Sequence, residues 1–149
     1  MRFGVRRALL FGAAALCCLG AQRGSLEEIE AIADRETRSR RALAFAWDQL
    51  DIASKAYQKD DPAAGRQALE SIREAVALAV TSLEATGKYA RRHPRHFKHA
   101  EIRTRKLLLQ VRQLRRKLYL GDQGDFDGLI EQIEAANARL LRGLMGPRE

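Results

Sequence analysis

The sequence predicts an all-α protein, an antiparallel four-helix bundle with long amphipathic helices, and three observations predict it. Apolar residues recur at steps of three, four and seven along four long stretches. No segment alternates apolar and polar residues as a half-buried strand would. Gly and Pro are few and gather at a handful of points, which leaves long segments between short connections.

Before the bundle comes a targeting segment. Arg2, Arg6 and Arg7 precede an apolar run from Ala8 to Leu19, followed by the small residues Gly20 and Ala21. That order is the layout of a secretory signal peptide, and the run is shorter than the ~20 apolar residues a spanning helix needs. Residues 1–21 are therefore expected to be cleaved, leaving 22–149 as a single helical-bundle domain, exported to the periplasm or secreted. Both cysteines, Cys17 and Cys18, fall inside the leader, so disulfides and cysteine catalysis are excluded from the mature chain. A lipoprotein signal fits poorly, because Ala14 or Ala15 and Leu16 or Cys17 fill the slots before either cysteine. Arg6 and Arg7 resemble a twin-arginine pair without the polar residue before it.

The first helix begins at Ser25, where Ser25 and Glu28 form a capping box ahead of Leu26, Ile29 and Ile32. The stretch DRETRSRR, 34–41, has no apolar residue, so this helix either runs on exposed or breaks there. The pattern resumes with Leu43, Trp47, Leu50 and Tyr57 until Asp60, Asp61 and Pro62 stop it. Asp61 can cap the next helix with Pro62 in its first position, where a missing N–H costs nothing. Leu69, Ile72, Val76 and Leu83 form that helix's stripe, and Gly87 terminates it. The segment KYARRHPRHFKH, with Pro94 inside it, reads as a basic loop. Ala100, Thr104, Leu107, Val111, Leu114 and Leu118 mark the third long helix, which Gly121 and Gly124 break. The fourth runs from about Asp125 to Met145 on Leu129, Ile133, Ala136, Leu140 and Leu144, with Gly146 and Pro147 at its end. Trp47, Tyr57, Phe97 and Phe126 fall in helical phase with these stripes and are expected in the core or at its edge.

Residues 53–79, ASKAYQKDDPAAGRQALESIREAVALA, resemble one tetratricopeptide-type helical hairpin, with a Tyr, an acidic turn and regularly placed alanines. No second copy is visible, and a solenoid needs about three. The chain as a whole is similar in style to small exported bacterial helical proteins of unknown function, a resemblance that implies no activity.

Two segments carry candidate chemistry. GDQGDFDGLIEQIE, 121–134, has the outline of a calcium loop: Asp125 and Asp127 as charged ligands, Gly128, the Leu129 carbonyl, an apolar Ile130 and a closing Glu134. Gln123 stands in the first ligand slot and removes one anionic ligand, and a strongly basic helix lies just upstream. The spacing therefore favours a turn in which Asp125 or Asp127 caps the fourth helix, and a calcium-responsive protein using Gln123, Asp125, Asp127 and Glu134 is the alternative.

The second segment is 88–117, with twelve Lys or Arg against one acid, Glu101. It carries a net +11 in a mature chain of net +5, which leaves the remainder near −6. Arg91, Arg92, Arg95, Lys98, Arg105, Arg112 and Arg116 are the anion-binding candidates, for an anionic surface, a polyanion or an acidic protein. Nucleic acid is a poorer partner, because an exported chain seldom meets it. The competing expectation is pairing inside the bundle with acids such as Glu70, Glu74, Glu131 and Glu134. His93, His96 and His99 recur every third residue, but Pro94 interrupts the helix that would align them and cations sit between them, which disfavours zinc or copper. No phosphate loop, heme-attachment motif or serine nucleophile motif is present, so no cofactor is expected. The sequence reads as a binding or structural module and not an enzyme.

Overall fold

The computed structural model describes residues 25–146; the expected leader over 1–21 and the Pro147 stop lie outside them. The first helix, α1 (Leu26–Glu30), is a single turn held by the expected capping box: Ser25 Oγ accepts from the Glu28 N–H, and the Glu28 carboxylate accepts from the Ser25 N–H. The chain then breaks, because Asp34 accepts from the Thr37 N–H at 2.8 Å and caps a new helix, α2 (Arg35–Gln58). Arg38 clamps the break with two donations to the Ile32 carbonyl.

α2 ends as expected at the acidic turn. Asp60 takes a left-handed backbone, φ 59°, a conformation Asp tolerates better than most residues. Asp61 accepts from the Ala64 N–H at 3.0 Å and caps α3 (Pro62–Glu84), with Pro62 in its first turn. Gly87, at φ 68°, reverses the chain after α3.

The next helix begins earlier than expected. Pro94 is the first residue of α4 (Pro94–Lys117), so half of the segment read as a basic loop is helix. A proline with no N–H to offer fits a first turn as well as it fits a loop. After α4 the chain does not break at Gly121. It turns at Leu118 and Tyr119, forms the short α5 (Leu120–Gln123) and a 3-10 turn (Gly124–Phe126), and enters α6 (Asp127–Met145) two residues later than expected.

The four long helices form an all-α bundle, with no strand among the described residues. Its layout is two antiparallel hairpins, α2 with α3 and α4 with α6, stacked on each other. Polar pairs fix the stacking. His96, in the first turn of α4, and Lys88, in the connection before it, both meet Glu36 at the start of α2, so those two helices run parallel. Arg139 near the end of α6 meets Glu84 at the end of α3, so that pair is parallel too.

Alanines explain the tighter hairpin. Ala42, Ala46, Ala53, Ala68, Ala75 and Ala79 are all buried, and small side chains let α2 and α3 approach closely. Larger residues fill the centre: Leu43, Ile72, Val76, Leu83, Leu107, Val111, Leu129 and Ile133 are each at most 1% exposed. Each such side chain contributes roughly 1.5–3 kcal/mol through burial. Phe97 and Phe126 are buried, and Trp47 and Tyr57 pack half-buried against the core, as their phase predicts.

One polar cluster interrupts the apolar centre. Glu101, on the buried face of α4, takes Arg105 at 3.0 Å, and Asn137 of α6 donates to the Glu101 backbone carbonyl at 3.1 Å. A glutamate between Ala100 and Thr104 was the sequence signal for it. Unpaired, it would be costly in that position.

Candidate functional site

The +11 segment divides in two. One part is paired with carboxylates: Arg112 pairs with Glu134 and Arg115 with Asp127, both across to α6, while Arg105 pairs with Glu101 on its own helix. Lys88 donates to Glu36 at 2.8 Å, and that bond is the main reason the Glu36 carboxyl is held below its usual range, with His96 adding to it. Of the four acids expected to face the segment, Glu134 does so; Glu70 instead meets Arg73 on its own helix.

The other part faces solvent. Arg95, Lys98, Ile102, Lys106, Leu109, Gln113 and Arg116 follow one another at steps of three and four, which keeps them on one side of α4. At 1.5 Å per residue the line is roughly 30 Å long. Arg95, Lys98, Lys106 and Arg116 are exposed and meet no carboxylate among the described residues; Arg116 donates only to the Arg112 carbonyl. Leu109 is 49% exposed among them, and Ile102 is partly so.

The remaining candidates sit at the entry to α4. Arg91 donates to the Gly146 carbonyl at the end of α6, and the Arg92 guanidinium lies 5.7 Å from the centre of the exposed Tyr89 ring. Arg103, on the flank towards α2, lies 5.1 Å from the centre of Trp47. Thus Arg92, Arg95, Lys98 and Arg116 are available to an external anion, whereas Arg91 is engaged by the Gly146 carbonyl and Arg105 and Arg112 by carboxylates.

The three histidines separate. His93 precedes α4 and makes no side-chain cap, His96 meets Glu36 at 3.1 Å, and His99 lies near Arg103 and Arg40. Burial above all, with those cations adding to it, holds the His99 imidazole below its usual pKa. Pro94 does not separate them, contrary to the sequence expectation, since His96 and His99 share α4. Different partners do. No group of three or more metal-ligating side chains occurs among the described residues.

The acidic loop is helical from end to end, and its residues serve other partners. Gln123 donates from its amide to the Leu118 carbonyl at 3.0 Å, closing the end of α4. Asp125 accepts from the Tyr57 hydroxyl at 3.0 Å and lies 3.5 Å from Arg66. Asp127 meets Arg115 at 2.9 Å, and Glu134 meets Arg112. Neither Asp125 nor Asp127 caps α6, which corrects that expectation: the helix follows a 3-10 turn and has no side-chain cap. Regular helix is established by Leu129.

One feature had no counterpart in the sequence reading. Between α2 and α4, at the end where α5 crosses, lies an open groove of about 770 Å³ with Trp47, Leu50 and Tyr57 on one wall and Leu114 and Leu118 on the other. The apolar stripes contain these residues, but periodicity does not say that two parallel helices diverge at one end. Comparison with protein-family models, curated proteins and solved structures returns no match, so the chain's own geometry carries the functional reading.

Proposed function

We infer that this chain is an exported helical module, a binding or structural protein and not an enzyme, that docks on anionic lipid surfaces through the outer face of α4. A single observation carries the reading: the cations of 88–117 that neighbour α6 are neutralised there, while Arg95, Lys98, Lys106 and Arg116 are left aligned on the open side. Apolar Ile102 and Leu109 between them favour a lipid surface over a soluble polyanion, because a bilayer interface accepts both charges and alkyl groups. No described helix is long and apolar enough to cross a membrane.

Flotation with vesicles containing phosphatidylglycerol tests it. Each cation near such a surface contributes about 1 kcal/mol, so replacing Arg95, Lys98, Lys106 and Arg116 by Gln is expected to weaken binding on the order of a thousandfold. Binding should also fall as salt rises, since charges farther apart than about 8 Å are screened at physiological ionic strength. Replacing the paired Arg105 and Arg112 should change little. Equal binding to neutral vesicles, or retention on heparin with none on vesicles, would refute the lipid reading.

A further inference from the structure

The α2–α4 groove lies beside two side chains that nothing in the fold covers. Tyr119 and Leu120 are each 87% exposed, the largest values among the large apolar residues of the described chain, and they are adjacent at the turn into α5. An isolated apolar side chain on a surface is ordinary, but a neighbouring pair this exposed stands next to an open groove of mixed lining, in which Trp47, Tyr57, Leu114 and Leu118 offer apolar contacts among polar side chains such as Gln58, Gln110 and Gln113. Tyr119 stands at the lip of the groove, so it cannot be the filling of its own recess while 87% exposed.

We propose that the groove receives the Tyr119–Leu120 projection of a second copy of this chain. Because projection and groove adjoin on one end of the bundle, a two-fold axis near that lip lets each copy fill the other, and the contact closes at a dimer. The rim charges suit the exchange. Lys117, on the groove wall just before the projection, meets no carboxylate among the described residues, and Asp60 and Asp122 on the same rim meet no cation among them. A two-fold brings Lys117 of one copy against the acidic rim of the other. This contact does not depend on the lipid reading, since none of Arg95, Lys98, Lys106 and Arg116 lines the groove.

Sedimentation equilibrium of the purified chain across a concentration series reads the association directly. The expected result is a reversible monomer–dimer equilibrium that Leu120→Ser and Tyr119→Ser each weaken about tenfold or more, as anchors of an interface do. Both positions are exposed, so the variants should keep the parent's circular dichroism and melting temperature. Lys117→Glu should weaken the dimer, and combining it with Asp122→Lys should restore part of the loss. A chain that is monomeric at every concentration overturns the proposal. So does a dimer indifferent to Tyr119 and Leu120, which would place the interface elsewhere.

Discussion

Tyr57 packs against Gly65 across the turn between α2 and α3, so close that a Cβ on Gly65 would stand 2.6 Å from ring atom Cε2. The same ring contacts Phe126 at 5.5 Å between centroids, and its hydroxyl reaches Asp125. One side chain thereby joins the α2–α3 hairpin to the turn that opens α6.

Gly65→Ala should therefore destabilise the protein by about 1–3 kcal/mol, the usual cost of overpacking, despite alanine's better helix propensity. Gly128→Ala is the contrast. A Cβ there meets only the flexible end of Arg73, at 3.3 Å, so the propensity gain of roughly 0.5–1 kcal/mol should survive. Urea denaturation of both variants checks the sign; stabilisation by Gly65→Ala as well as by Gly128→Ala would show that the ring yields.

Tyr57 also predicts a dependence on alkaline pH. Burial first, then the hydrogen bond to Asp125, raise its hydroxyl pKa well above the ordinary value of 10.0. The folded state thus holds the proton more tightly than the unfolded chain. The resulting stability is complete below about pH 10 and declines as pH rises towards the folded pKa. Tyr57→Phe should cost about 1 kcal/mol at neutral pH, through the lost hydrogen bond, and should lose stability less steeply than the parent above pH 10. Parallel slopes for the two chains would disprove the linkage.

Calorimetry with millimolar calcium should show no saturable binding. Each of the three carboxylates that would ligate the ion is held by a partner of its own: Asp125 by Tyr57 and Arg66, Asp127 by Arg115, and Glu134 by Arg112. A cage would have to break these contacts and unwind the start of α6. Micromolar binding abolished by Glu134→Gln would reverse this reading.

The exported form should begin near Gln22, because the charged, apolar and small-residue parts of 1–21 stand in the order of a cleavable leader. Intact-mass measurement decides it, and a mass that retains 1–21 would remove the export reading.

Much of this architecture was legible because helices announce themselves locally. Ser25 with Glu28, Asp61 with Pro62, and the apolar stripes act within a turn or two of their own position, so their effects can be read in order along the chain. Pro94 marks the limit of such reading: its ring suits a loop and a first helical turn alike, and only the residues after it show which was built. Asp34 was equally ambiguous within DRETRSRR until Thr37 supplied the N–H it accepts.

What no local rule could decide is which charges meet. Arg112 and Arg116 stand one turn apart on α4, yet α6 packs on one flank and so Arg112 faces Glu134 while Arg116 faces water. Asp125 carries the sequence of a helix cap or a calcium ligand, but it went to Tyr57, 68 positions away, because the bundle brought the end of α2 beside it. The sequence by itself determined the helices, their buried faces and the sign of the segment 88–117. The tertiary structure alone decided which cations stayed open and where α2 and α4 part to leave a groove, because a side chain's partner depends on which helix packs beside it and not on its neighbours in the chain.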